Sequence, residues 1–229
     1  SVRIGDDPPV TDAPIVPAPA PGDRRALLAV ATQFFVNGSV YATVIPRLPD
    51  IRERVDISIG TVGVVLTLGS VASLAATLLA GRVIARVGSR NVMIYGSVAS
   101  IAFLPVIGLA TSPVPLVAGL FGWLFFDIFI DVAMNMQGSV LSARRHTPVM
   151  NRLHGLWSLG TVTGGVVTAL TLRAGVSTPV HTAAVAVVLV GALLYVAPGL
   201  LRTDEAHELD ASESEPGARQ RRRPPFGAA

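Results

Sequence analysis

Long apolar stretches, separated by short segments that carry charge, run through most of the 229-residue chain. A helix needs about 20 apolar residues to cross the hydrocarbon core of a bilayer, and charge-free stretches of this length recur from residue 26 to residue 201. The stretch 91–126 is too long for one span, and the Pro-containing sequence 111–115 divides it. The pattern predicts an all-α integral membrane bundle over 25–202, with six transmembrane helices at about 26–46, 57–81, 91–110, 114–140, 153–172 and 178–201.

Polar tails flank the predicted bundle. Residues 1–24 and 203–229 contain no continuous apolar run, so we expect both segments to be disordered and cytoplasmic. The second of them is either a tail or the central loop of a longer protein. The sequence begins at Ser1 rather than at Met, which favours a fragment of a longer protein.

Composition supports a membrane protein and excludes several other classes. Only 14% of residues are charged and the mean hydropathy is +0.58, whereas a soluble domain carries about 25% charged residues. The chain has no Cys for a disulfide scaffold, and every basic residue is Arg, so a phosphate-binding loop that requires Lys is impossible. The pI is near 10.1, but the sequence lacks the basic segments with interleaved aromatics that would indicate nucleic-acid binding. We therefore do not expect nucleic acid as a partner. We expect neither an enzyme nor a cofactor.

The distribution of arginines predicts the orientation. With both termini in the cytoplasm, 14 arginines lie on the inner side of the membrane and 4 on the outer side. Positive charge concentrates on the cytoplasmic side of membrane proteins. We therefore expect a multi-pass protein of a bacterial inner membrane, surrounded by the lipid bilayer.

Two carboxylates are the charged residues that lie well inside a predicted span. A charge at the bilayer centre costs about 2.5–3.5 kcal/mol. Two carboxylates on one helix, Asp127 and Asp131, therefore indicate a functional or structural role. With Asn135 they have i, i+4, i+8 spacing, which places all three on one helix face that must line a bundle interior or a wet cavity. Neighbouring carboxylates repel, and such a pair can take up and release a proton. The alternative is a structural polar stripe that neighbouring helices satisfy.

Two other predicted spans offer polar groups to the same site. Gln33 and Asn37, again at i, i+4, present amides that bind a polar substrate or join helices. His154, at the cytoplasmic end of the fifth span, is a candidate proton shuttle, although a histidine at a helix end is more often interfacial. Trp157 offers an aromatic face for a solute to stack on, and the alternatives are packing or a place in the interfacial aromatic belt. In the same span, Gly160 and Gly164 predict close helix packing.

The turn between the second and third spans carries a recognisable motif. Residues 81–90 resemble the loop signature of the major facilitator superfamily, G-x-x-x-D-R-x-G-R-R/K. Four residues match it: Gly81, Arg86, Gly88 and Arg90. Ala85 replaces the acidic residue of the signature, and Ser89 replaces one basic residue.

The resemblance extends over about residues 34–172. Residues 131–135 and 151–160 are similar to the fourth and fifth helices of fucose-permease-like sugar symporters. In the first helix of that permease an acidic residue couples protons, and the corresponding position here is Ala42, which is apolar. The resemblance implies the N-terminal six-helix half of a 12-helix permease, with a second half or a second copy of the chain as partner.

The implied activity is proton-coupled transport of a small polar, sugar-like solute by alternating access. Two alternatives stay open. Drug/proton efflux would require a larger, aromatic-rich cavity. A non-transporting membrane scaffold or an inactive half-transporter remnant would explain the missing acid of the loop.

Overall fold

The computed structural model describes residues 21–202, except for the side chains of residues 21, 70 and 72–75. The predicted tails outside this range are therefore not described. Within it, the chain forms helices and turns without any strand. The helices are α1 (Pro21–Val44), α2 (Leu48–Val55), α3 (Ile59–Val87), α4 (Ser89–Asn91), α5 (Ser97–Leu109), α6 (Pro113–Arg144), α7 (Met150–Arg173) and α8 (Thr178–Val196). A π-helical turn, Val92–Gly96, joins α4 to α5, and short 3₁₀ turns follow α1 and α8.

Five helical segments are long and apolar enough to cross a membrane. They are Gly22–Val55, Ser89–Leu109, Pro113–Arg144, Met150–Arg173 and Thr178–Gly199. The predicted second span, 57–81, overlaps α3, a helix of 29 residues that begins at Ile59. The all-helical membrane bundle expected from the sequence is confirmed, whereas the count of six spans stays a prediction.

Several helices extend beyond the predicted spans. Helix α3 continues past residue 81 to Val87, because its apolar pattern persists and Ile84 is buried in the core. Helix α1 begins at Pro21, inside the predicted tail, and Asp23 lies in its first turn, where the helix dipole favours a negative charge. The predicted loop after the first span contains α2, which forms because Ile51 and its apolar neighbours are buried against the bundle.

Side-chain hydrogen bonds close the two ends of the bundle. At one end, the Arg47 guanidinium donates to the carbonyl oxygen of Val176, between α7 and α8, at 3.1 Å. At the other end, Gln137 Nε2 donates to Ser89 Oγ at 3.0 Å and to the carbonyl oxygen of Leu201 at 3.2 Å. We call these the outer and inner ends, following the predicted orientation.

The apolar core consists of two clusters at different heights. Phe34 and Ile130 belong to the inner cluster, and Trp123 belongs to the outer one. On α1, Asn37 lies between Phe34 of the inner cluster and Val40 of the outer one. On α6, Asp127 lies between Trp123 and Ile130, and both polar residues are buried. A polar layer therefore separates the two clusters.

Helices α1 and α7 approach each other at small residues. A Cβ added to Gly38 would overlap the carbonyl oxygen of Trp157, and one added to Gly160 would overlap that of Phe35. Ser39 Oγ donates to the carbonyl oxygen of Gly160 at 3.1 Å. Small residues allow such close packing of membrane helices, and this contact fixes the positions of α1 and α7 at the polar layer.

Candidate functional site

A cavity of about 500 Å³, called the polar cavity below, lies beside this polar layer. Helices α1, α3, α6 and α7 contribute to its wall. Its polar and aromatic groups include Asn37, Tyr41, Asp127, Asp131, His154 and Trp157. Five of the seven substrate-pathway residues predicted from the sequence therefore line one cavity.

Asp127 is fixed by two donors from α1. Asn37 Nδ2 donates to Asp127 Oδ1 at 2.6 Å, and the Tyr41 hydroxyl donates to Asp127 Oδ2 at 2.5 Å. Only 9% of the Asp127 residue surface is exposed. Hydrogen bonds to a carboxylate are stronger than those between neutral groups, so this pairing ties α6 firmly to α1.

Trp157 extends the network to α7. Its indole Nε1 donates to Asn37 Oδ1 at 2.8 Å. The Asn37 amide therefore accepts from Trp157 and donates to Asp127, which defines the orientation of both ends of its side chain. The Tyr41 ring packs edge-on against Trp157, with 6.0 Å between ring centroids. Four side chains thus connect three helices around one side of the cavity.

Asp131, one helical turn further along α6, has a different environment. It is exposed, and its Oδ1 accepts a hydrogen bond of 3.1 Å from Asn135 Nδ2. The same Asn135 nitrogen donates to the carbonyl oxygen of Asp131 at 2.8 Å. Both partners belong to α6, so within residues 21–202 no hydrogen bond ties the Asp131 carboxylate to another helix. This carboxylate is therefore exposed on the wall of the polar cavity.

His154 lies on the same cavity and interacts electrostatically with Asp131. Its Nδ1 lies 3.0 Å from the carbonyl oxygen of Met150. A carbonyl oxygen only accepts, so Nδ1 is the donor in this hydrogen bond. The ring of Phe34 packs edge-on against the imidazole at 5.4 Å between centroids.

Two predicted site residues lie elsewhere. Gln33 is 1% exposed, and its Nε2 donates to Ser97 Oγ of α5 at 2.7 Å, so it joins helices instead of lining the polar cavity. Residues four apart differ in direction by about 40° around the helix axis. Gln33 therefore points away from the cavity that Asn37 lines. Asn135 bonds to its own helix and is also absent from the cavity wall.

Tyr41 is absent from the predicted site residues, although its hydroxyl holds Asp127. Its position four residues after Asn37 is the signal that could have identified it, because it continues the polar i, i+4 series of α1. Thr77 of α3 also lines the cavity, and no motif in the sequence marks it.

The loop-signature residues lie toward the inner end of α3 and the start of α4. Gly88 has a φ angle of 87°, a conformation that favours glycine, and its N–H donates to the carbonyl oxygen of Ile84 at 2.8 Å to end α3. Gly81 lies inside α3, where an added Cβ would meet nothing within 4 Å. Arg86 is exposed and Arg90 is half-buried. The backbone therefore requires glycine at position 88 but not at 81.

Comparison with known proteins identifies relatives of the chain. The family model of the Major Facilitator Superfamily matches residues 30–228. An uncharacterized MFS-type transporter of Yersinia pestis is 29% identical over 177 residues, which cover 76% of this chain and 46% of the relative. An uncharacterized transporter of Sinorhizobium fredii is 29% identical over 59% of this chain and 36% of its own length.

The membrane protein MosC of Rhizobium meliloti is 28% identical over 63% of this chain and 35% of its own length. The chain thus spans less than half the length of these curated relatives. No solved structure matches it significantly.

Proposed function

Because the chain belongs to the major facilitator superfamily, we propose that it forms one half of a secondary transporter that moves a small polar solute together with protons by alternating access. Two of its relatives are named as transporters. The observation that carries the proposal is the polar cavity, where two carboxylates, an amide, a phenol, an imidazole and an indole surround about 500 Å³.

The lining of the polar cavity favours a sugar-like solute. Small-molecule sites of about 300–1,000 Å³ combine apolar and aromatic walls with a few well-placed polar groups. Trp157 and Tyr41 supply aromatic surface, and the exposed carboxylate of Asp131 can accept hydrogen bonds from hydroxyl groups. A neutral solute with several hydroxyl groups matches both features.

Asp131 and His154 are the groups that we assign to proton exchange. Asp131 is exposed and has no hydrogen bond to another helix in the described part of the chain. A carboxylate is costly to enclose within a membrane protein, so a bound proton lowers the free energy of the closed cavity. Closure therefore favours the form that carries both the proton and the solute.

A second six-helix half, or a second copy of this chain, would complete the transport path. Alternating access requires two bodies that rock around a midplane site. Helices α3 and α7 expose large apolar side chains that a second half could cover, among them Leu78 at 79% and Val162 at 62% exposure. We also assign the chain to a bacterial inner membrane with both termini in the cytoplasm, as its arginines predict.

Proton-coupled drug efflux is the second candidate. Three aromatic rings line the polar cavity, those of Phe34, Tyr41 and Trp157. Aromatic faces and carboxylates together bind lipophilic cations. An amphipathic cation would then exchange for a proton instead of moving with it.

Ligand binding to the purified chain separates these candidates without requiring a second half. Trp157 reports on the cavity by its fluorescence, and Trp157→Phe is the control that removes the reporter and keeps Trp123. We expect saturable changes with at least one member of a panel of neutral sugars. A response to tetraphenylphosphonium alone would favour efflux. No response to any solute would contradict transport and favour a scaffold.

Flux in vesicles then tests the transport step. The chain is reconstituted, alone and with a complementary half from a relative, into liposomes that contain a pH-sensitive dye. Sugar-dependent acidification of the lumen is the expected result for symport. Solute binding without any proton movement, in either preparation, would contradict proton coupling.

A further inference from the structure

A second cavity, of about 360 Å³, lies between α1, α7 and α8 on a different face of α1. We call it the apolar groove, because most of its wall consists of apolar side chains. They include Phe35, Val167, Val180, Val185, Val188 and Leu189. None of these residues lines the polar cavity, so the groove is a separate feature.

A buried histidine lies on the wall of the apolar groove. His181 is 2% exposed, and neither of its ring nitrogens has a hydrogen-bond partner in the described part of the protein. Buried polar groups are ordinarily hydrogen-bonded. Two unpaired nitrogens beside a cavity therefore indicate a ligand that bonds to them.

A buried arginine lies at the same end of the groove. Arg47 is 2% exposed, and its guanidinium donates to Thr171 Oγ1 at 3.2 Å and to the carbonyl oxygen of Val176 at 3.1 Å; both residues line the groove. Its Nε has no partner among residues 21–202. Asp50 lies 3.7 Å from the other terminal nitrogen, with its own side chain half-exposed. Arg47 itself does not line the groove, but it lies behind the wall at the outer end and interacts electrostatically with His181.

The groove extends from this end toward the middle of the bundle. Its wall runs from Thr171 to Thr163 along α7 and from His181 to Leu189 along α8. Eight helical residues correspond to about 12 Å. Val188 is 67% exposed at the rim, so the groove opens to the surroundings of the bundle. In a bilayer, those surroundings are acyl chains.

We propose that the apolar groove binds an acyl chain of an anionic glycerophospholipid, whose phosphate accepts a hydrogen bond from His181 and whose charge is balanced by the nearby Arg47 guanidinium. The apolar wall fits the chain, and His181 at its outer end fits the head group. An anionic lipid is favoured over a zwitterionic one, because its phosphate has no compensating cation and complements the arginine charge.

Native mass spectrometry of the purified chain tests this proposal. The protein is exchanged in detergent with phosphatidylglycerol, phosphatidylcholine or palmitate, and the bound molecules are counted. Ala184→Trp fills the groove, whereas Ala183→Trp adds the same side chain at an exposed neighbour that does not line it. His181→Leu removes the hydrogen bonds to the head group, and His181→Gln keeps a donor.

We expect wild type and Ala183→Trp to retain one phosphatidylglycerol. His181→Leu should retain it at least about tenfold more weakly, since a hydrogen bond to a charged group has roughly this effect on affinity. Ala184→Trp should weaken retention at least as much, because the indole occupies the groove. His181→Gln should restore part of the retention. If His181→Leu fails to fold, the two tryptophan variants still decide the question.

Three results would overturn the proposal. Equal retention of phosphatidylglycerol by Ala184→Trp and Ala183→Trp would place the lipid elsewhere. Equal retention of phosphatidylcholine would remove the selectivity for an anionic head group. Preference for palmitate would identify a free fatty acid as the occupant.

Discussion

Two consecutive turns of α6 carry the same side chain in opposite environments. In the first turn, Asp127 is buried, and both of its oxygens accept hydrogen bonds from α1. In the next turn, Asp131 is exposed on the polar cavity, and its carboxylate bonds only to Asn135 of its own helix within the described residues. The first carboxylate connects helices, and the second faces the space that a solute would occupy.

This difference shows how spacing and surroundings divide the roles of two carboxylates. The i, i+4 spacing places both on one face of α6. The donors on α1 reach only the first of them, because Asn37 and Tyr41 both bond to Asp127. We therefore assign Asp127 to positioning and Asp131 to exchange with solute and protons. The predictions below test this division, beginning with the largest expected effect.

Asp127→Leu should destabilise the fold by about 2–5 kcal/mol, because it leaves the buried Asn37 amide and the half-buried Tyr41 hydroxyl without an acceptor. Equilibrium unfolding in mixed micelles measures the loss. Asp131→Leu is the matched control and should change stability by less than about 1 kcal/mol. Equal losses for the two variants would remove the distinction between the turns.

Cysteine labelling should report the difference in exposure directly. The chain contains no Cys, so Asp131→Cys and Asp127→Cys each introduce one thiol. A hydrophilic maleimide should modify position 131 at least about tenfold faster than position 127, since reaction requires an accessible thiolate. Comparable labelling rates would show that both turns are open to water.

Trp157→Phe should destabilise the protein by about 1–2 kcal/mol, because it removes the hydrogen bond to Asn37 and leaves a buried acceptor unpaired. A double-mutant cycle with Asn37→Ala isolates this pair. A coupling energy near zero would mean that the indole only packs against its neighbours.

Asn135→Ala should have the smallest effect, within about 0.5 kcal/mol in unfolding free energy, because its amide bonds only to its own helix. It should also leave the labelling of Asp131→Cys unchanged in a double variant. A large loss of stability would indicate that Asn135 supports more than its own helical turn.

The sequence was sufficient to predict the helical membrane bundle, because it follows from patterns along single segments. The α6 face predicted from i, i+4 spacing brings Asp127 and Asp131 to the polar cavity but not Asn135. The apolar stretches predicted the membrane helices, and the family resemblance is confirmed at the level of the superfamily. The placement of Asn37, Asp127 and His154 on one cavity is consistent with the predicted site, whose role stays a prediction.

These patterns do not predict which residues of different helices contact each other. Gln33 has the same spacing to Asn37 as Tyr41 does, yet Gln33 bonds to Ser97 of α5 and Tyr41 bonds to Asp127. Which neighbour a helix face meets depends on rotation and packing of separate segments, and spacing within one helix does not define it. For the same reason the sequence does not mark His181, whose ring nitrogens lack a hydrogen-bond partner among residues 21–202.

Proton movement in vesicles containing Asp131→Asn tests the central claim most directly, with Asn135→Ala as the matched variant one turn away. The substitution keeps the size of the side chain and removes the titrating group. We predict that Asp131→Asn lowers solute-dependent proton uptake by about a hundredfold, while Asn135→Ala retains the wild-type rate and both variants still bind the solute. Proton uptake at the wild-type rate in Asp131→Asn would contradict the account.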